Sequence, residues 1–283
     1  MKANLGVIST LVLTGLFVAL CMLGLAARTF AADEIVIVHF GDSTTNTGYL
    51  RKERKRVNDV LQGFLEKYYP QQKSKCVNVG RGGDYIRQFL DGGRYQKAVK
   101  DVYAKIDIAT IRYGQNDMKH YRPERFKKHL KELIDVLKKD YPGVHIFLET
   151  GIYIDPRHWF DQYRVNPRPV EKYGVYWRRI REVAQELNLP LIDQEKRWQI
   201  ETEAGTWDLR IRGNKDPKHP QHYYNAHPNE LGVRIYALEI LRHLRHYYPT
   251  KLPKAGEEAC NPKENPLDQA QPTGGKLPEE EKG

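Results

Sequence analysis

Cysteine is scarce, with three in 283 residues. That excludes a disulfide-stapled scaffold and leaves no cysteine pair at metal-ligand spacing. Glycine is missing from two informative positions. Thr45 stands where a nucleophile elbow, Gly-x-Ser-x-Gly around Ser43, needs its last glycine. Tyr85 stands where a dinucleotide fingerprint starting at Gly80 needs one. No internal repeat is present. No RNA- or DNA-binding motif accompanies the net charge of +10, and the basic residues are spread along the chain. A nucleic-acid partner is therefore not expected. A solvated basic surface, or acidic polysaccharide as a partner, fits the charge instead.

Acidic residues are absent from positions 1–32, which hold Lys2, Arg28 and an apolar run over 5–27. A positive start, an apolar stretch and small residues before Asp33 read as an export signal cleaved after Ala31. A run of about 20 apolar residues also has the length of a membrane anchor, so a membrane association follows only if the segment is retained. Removing 1–32 takes the net charge from +10 to +8. The protein is expected in the periplasm, outside the cell or on its surface. Cys21 follows Leu20, which is too bulky for a lipoprotein site. Cys76 and Cys260 then permit one disulfide in an oxidising compartment; the other reading is a buried thiol and a loose one. From about Pro249 the chain turns rich in Pro, Gly, Lys and Glu, so 250–283 is read as a disordered tail. One domain over 33–249 remains, with 40% apolar residues in the whole chain to build a core.

Within that domain strand and helix patterns alternate. Short apolar runs at 34–40, 75–79, 106–113, 144–149 and 190–192 read as buried strands. Helical spacing recurs at 50–69, from Pro123 to a Pro142-Gly143 stop, at 170–188, and in a last helix carrying Val233, Tyr236, Ala237, Ile240, Leu241 and Leu244. This order predicts an α/β three-layer sandwich, a mostly parallel five-stranded sheet with helices on both faces. Ligands bind such sheets at the carboxyl ends of the strands. Segments 151–169 and 204–226 are long and irregular, as site-lining loops often are.

The first strand runs into Gly41-Asp42-Ser43-Thr44-Thr45. A serine is nucleophilic only when a base takes its proton and donors await the oxyanion; alone, the segment reads equally as a turn and helix cap. Three further segments join it. Asn78-Val79-Gly80-Arg81-Gly82-Gly83-Asp84 follows the second strand. Gly114-Gln115-Asn116-Asp117 follows the third. His227-Pro228-Asn229-Glu230-Leu231-Gly232 precedes the last helix. With these four blocks in order, residues 34–247 resemble the SGNH (GDSL-type) hydrolase family, whose fold is flavodoxin-like.

The resemblance implies a carboxylic ester hydrolase with Ser43 as nucleophile and His227 as base. The Ser43 and Gly80 backbone N–H groups and the Asn116 amide would form the oxyanion hole. The family usually carries an acid three positions before the histidine, and here that position is Tyr224. A backbone carbonyl, or a loop acid such as Asp208 or Asp216, would have to orient His227; failing both, the enzyme is slow or inactive. Tyr224 itself is a candidate for contacting substrate. His219, His222 and His227 read as parts of a polar loop, and no metal or other cofactor is expected.

Tyrosine is frequent at 18 residues, and Tyr153, Trp159, Phe160, Tyr163, Trp207, Tyr223 and Tyr224 cluster in or near the two loops. Aromatic faces, export and positive charge favour an esterified carbohydrate, acetylated above all. Arg157, His158, Arg164, Arg168 and Lys172 argue against the apolar surface of a lipid esterase. Two rivals stand beside this reading: a non-catalytic glycan-binding protein on a decayed esterase fold, and an acyltransferase.

Overall fold

A computed structural model describes residues 34–153, 169–204, 209–212 and 224–248. The chain divides into two units, Met1–Glu34 and Ile35–Gly283, and every element described belongs to the second. Ile35–Gly41 (β1) is a run of Ile, Val and Phe broken only by His39, and all but Val36 are buried. It pairs in parallel with Ser74–Asn78 (β2) on one side and Ile108–Arg112 (β3) on the other. His145–Glu149 (β4) and Leu191–Ile192 (β5) extend the sheet, giving the order β2-β1-β3-β4-β5. Every residue of β3 is buried, as required of a central parallel strand covered on both faces. The α/β architecture with a five-stranded parallel sheet is the one the sequence pattern predicts.

The helices follow from apolar stripes and caps. The first, Ser43–Asn46 (α1), is a single turn after β1. Val57–Tyr68 (α2) begins where Arg56 and Asp59 form a capping box, and it buries Val57, Leu61, Phe64 and Leu65. The helical spacing over 50–69 predicts an earlier start, at 50. The basic run at 51–56 instead forms turns, with Arg54 in the left-handed region at φ 54°. Ile86–Asp91 (α3) and Asp117–His120 (α4) are short. Pro123–Asp140 (α5) has Pro123 in its first turn, where the missing N–H costs nothing, and buries Phe126, Leu130, Leu133, Ile134 and Leu137. Pro169–Glu186 (α6) and Gln194–Glu203 (α7) precede Glu230–Tyr247 (α8), which buries Val233, Tyr236, Ala237, Ile240, Leu241 and Leu244. Burial of each Val, Leu, Ile or Phe side chain among these contributes roughly 1.5–3 kcal/mol. Helix α2 packs on α8, and α5 packs on α3 and α6.

The stretch read as an irregular loop over 204–226 contains structure. Arg210–Arg212 (β6) pairs antiparallel with Tyr224–Pro228 (β7), with a register shift between Arg210 and Arg212. Three residues are too few to show alternation, and Tyr-Asn-Ala-His-Pro carries none, so neither strand was legible. The leader, the tail with Cys260, the loop 154–168, Asp208 and Asp216 lie outside the described residues. Cys76 is half-buried in β2, and burial raises its thiol pKa far above the ordinary range. Among the described residues no helix is long and apolar enough to cross a membrane.

Candidate active site

Ser43 opens α1 at the carboxyl end of β1. The chain can turn there because residue 41 is glycine: a Cβ would sit 2.1 Å from Thr45 Oγ1 and 2.5 Å from the Arg112 carbonyl oxygen. Asp42, buried, caps the turn by accepting from the Thr44 N–H and the Thr44 hydroxyl, each at 2.8 Å. The Thr47 N–H closes it on the Ser43 carbonyl at 2.9 Å. The serine is thus fixed at the edge where the strands end.

His227 reaches it from 184 positions away, with Nε2 2.8 Å from Ser43 Oγ. For Nε2 to accept the serine proton, the imidazole must be neutral and protonated on Nδ1. The surroundings favour the neutral form. Burial holds the His227 pKa below its ordinary value, Lys119 acts in the same direction, and Asp42 opposes them. The histidine sits on β7, and its neighbours secure the strand. Tyr49 meets the imidazole edge-on, with centroids 6.3 Å apart, and its hydroxyl donates to the Pro228 carbonyl. Asn229 caps α8 through the Gly232 N–H at 2.9 Å, and Lys55 pairs with Glu230 at 2.8 Å.

The glycine-rich loop after β2 lies against the serine, since a Cβ on Gly82 would be 3.9 Å from Ser43 Cβ. Gly80 is packed so that an added Cβ would stand 3.0 to 3.2 Å from Asn78, Asn46 and Asp42 atoms. Its N–H donates to Asn78 Oδ1 at 3.0 Å, and its carbonyl accepts from Asn46 Nδ2 at 2.6 Å. The Gly80 N–H is therefore already engaged here, and serving an oxyanion requires it to be shared or Asn78 to rotate. Asn116 is buried and fixed at both ends of its amide. Nδ2 donates to the Asp84 carbonyl at 3.1 Å, and Oδ1 accepts from Lys119 Nζ at 3.1 Å. One amide hydrogen remains for a ligand.

A profile of the GDSL-like lipase/acylhydrolase family matches residues 39–235, which take in all four blocks. The chain belongs to the GDSL-like lipase/acylhydrolase family. It is accordingly a carboxylic ester hydrolase by family. Solved structures share the fold. The acetyl xylan esterase AlAXEase superposes with a TM-score of 0.57 at 20% identity, covering 74% of this chain and 100% of its own. The acetylxylan esterase Axe2 from Geobacillus stearothermophilus gives 0.54 at 20%, covering 76% and 95%. A member of the lipolytic G-D-S-L family from Veillonella parvula gives 0.53 at 19%, covering 74% and 97%. The search of curated proteins found no match.

Two arginines of this GDSL-like hydrolase hold the motif loops, and composition gave no sign of either. Arg112, at 2% exposure, donates to the Thr44 carbonyl at 2.8 Å and to Thr45 Oγ1 at 3.2 Å. It lies 3.5 Å from buried Glu149 and 3.8 Å above the Tyr236 ring. Arg94 grips the other loop, contacting the Asp84 carboxylate and donating to the Val79 carbonyl. Asp117, the last residue of Gly-Gln-Asn-Asp, accepts from Ile86 N and Gly114 N at 3.1 Å each. Burial raises its pKa to about 7 against those hydrogen bonds. Where the family carries its acid, Tyr224 pairs with Arg212 across the ribbon, and Asp208 and Asp216 lie outside the described residues. Among the described residues no cluster of His, Cys, Asp or Glu is arranged to hold a metal ion.

Proposed function

We propose that this hydrolase cleaves its ester through an acyl-enzyme on Ser43, and that the substrate is an O-acylated, chiefly acetylated, carbohydrate met after export. The observation carrying the mechanism is the 2.8 Å contact between His227 Nε2 and Ser43 Oγ. His227 takes the hydroxyl proton as Oγ attacks the acyl carbon. The Ser43 N–H and the remaining Asn116 amide hydrogen, joined by the Gly80 N–H once Asn78 releases it, receive the oxyanion. His227 then returns the proton to the leaving alcohol. Water, deprotonated by the same imidazole, releases the free acid and restores Ser43.

A backbone carbonyl orients His227 in this reading, so Asp208→Asn and Asp216→Asn should each keep most turnover. A drop of orders of magnitude in either would transfer that task to a loop acid. The carbohydrate reading draws support from the loop aromatics and from the acetyl xylan esterases that share the fold. The test is turnover of p-nitrophenyl acetate followed by acetate release from acetylated glycans. Release from glycans supports the reading. Aryl-ester turnover without it would refute the carbohydrate assignment, and no turnover on either would favour a glycan-binding protein.

A further inference from the structure

We propose that the glycan carries a carboxylate, and that Lys119 and Arg122 bind it in the groove beside Asn116. This rests on the esterase reading above and narrows its substrate to an acetylated acidic saccharide of the uronic-acid kind.

The groove measures about 420 Å³ and is walled by α4, the turn into α5 and one face of α6, a size suited to a small ligand unit. Its lining runs without interruption from Met118 to Pro123 and is closed by Val175 and Tyr176. Among the described lining residues two are cationic and none is a carboxylate. Lys119, His120 and Arg122 are all exposed. Acids near it among the described residues are engaged elsewhere: Glu124 pairs with Arg179, Asp84 with Arg94 and Glu132 with Arg87, and Asp117 is buried, accepting from the Ile86 and Gly114 N–H groups.

The groove adjoins the reacting centre. Lys119 Nζ is 3.1 Å from Asn116 Oδ1, so one of its three hydrogens is used and two remain for a ligand. Its charge is also felt at His227, which places the ammonium within electrostatic reach of the base. An anionic group on a sugar neighbouring the esterified one would meet Lys119 and Arg122 while the acyl carbon meets Ser43. His120, which also lines the groove, packs against Tyr85 with ring centroids 4.0 Å apart and planes inclined by 30°, so an aromatic ring stands beside the two cations where a sugar could pack. A neutral glycan would need no cation here, and a lipid chain would be opposed by two exposed charges.

The test compares acetylated oligogalacturonides with acetylated xylo-oligosaccharides, using p-nitrophenyl acetate as reference. The expected ratio of kcat/KM, acidic over neutral, is roughly tenfold at low ionic strength and shrinks as salt rises. Lys119→Met and Arg122→Gln should each lower that ratio several-fold, whatever they do to the absolute rate. A ratio at or below one, or one unmoved in both variants, overturns the inference while aryl-acetate turnover leaves the esterase reading standing. Binding of unacetylated oligogalacturonate to Ser43→Ala protein, measured by calorimetry, is independent of turnover. It should weaken when Lys119→Met is added, and equal binding with and without Lys119 also overturns the inference. If aryl acetate is inert but this binding is Lys119-dependent, the subsite stands and the esterase mechanism falls.

Discussion

Ser43 rises from the end of a strand buried on both sides, whereas His227 rides a two-stranded ribbon that is separate from the main sheet. The serine turn is held from within by Asp42, by the steric demand at Gly41 and by the buried Arg112. The histidine strand is held from the side by the Tyr49 hydroxyl and, one turn further on, by the half-exposed Lys55–Glu230 pair. Nucleophile and base thus depend on different interactions. Damage to the first region should appear chiefly as lost stability, and damage to the second as lost rate with a much smaller loss of stability.

The largest effect is expected at Arg112. Arg112→Met leaves Glu149 buried without its cation, and breaking a buried pair costs about 3–5 kcal/mol. For a domain of this size that lowers Tm by on the order of 10 °C. A calorimetric scan checks it, and replacing Glu149 with Gln in the same protein should restore part of the loss. An unchanged Tm would show that the serine turn does not rely on this pair. Next comes Asn116→Ala, which should lower kcat by about 10²–10³ with little change in KM, as for one oxyanion donor; steady-state kinetics on an aryl acetate decide. Tyr49→Phe keeps the ring against His227 and removes the bond to Pro228. A stability loss of about 1 kcal/mol and a several-fold fall in kcat are expected. A Tm loss as large as that of Arg112→Met would erase the contrast between the two regions.

The smallest effect is on pH dependence. The acid limb of kcat/KM reports the base in the free enzyme. Because burial and Lys119 disfavour the imidazolium, that limb should lie below the ordinary histidine value of 6.5. Removing the positive charge relieves part of that bias, so Lys119→Met should move the limb to higher pH. A limb that stays or moves lower would deny the electrostatic contact between the two residues.

How much of this was readable beforehand follows from what each feature leaves in a sequence. Strands β1, β3 and β4 are mainly apolar runs, and α5 and α8 carry full stripes, so their patterns are plain, whereas β2 (Ser-Lys-Cys-Val-Asn) is only partly buried. Helix α7 was not legible, because only Gln194 and Trp198 of its ten residues are buried. Serine, glycine, asparagine and histidine blocks announced the site by their order. Arg112 and Arg94 did not, since an arginine in a sequence reads as solvated surface and only the fold shows what it holds. The engagement of the Gly80 N–H by Asn78 was equally invisible, because it depends on a side-chain rotamer. Lys119 lies in a four-residue helix too short to show any period.

The central claim is that Ser43 is the nucleophile and His227 its base. Treating the wild-type protein with a fluorophosphonate and mapping the adduct by mass spectrometry addresses it most directly. The account predicts one phosphonyl group on the peptide containing Ser43, formed far more slowly in His227→Ala and not at all in Ser43→Ala. An adduct on another residue, or equal labelling rates in wild type and His227→Ala, would contradict it.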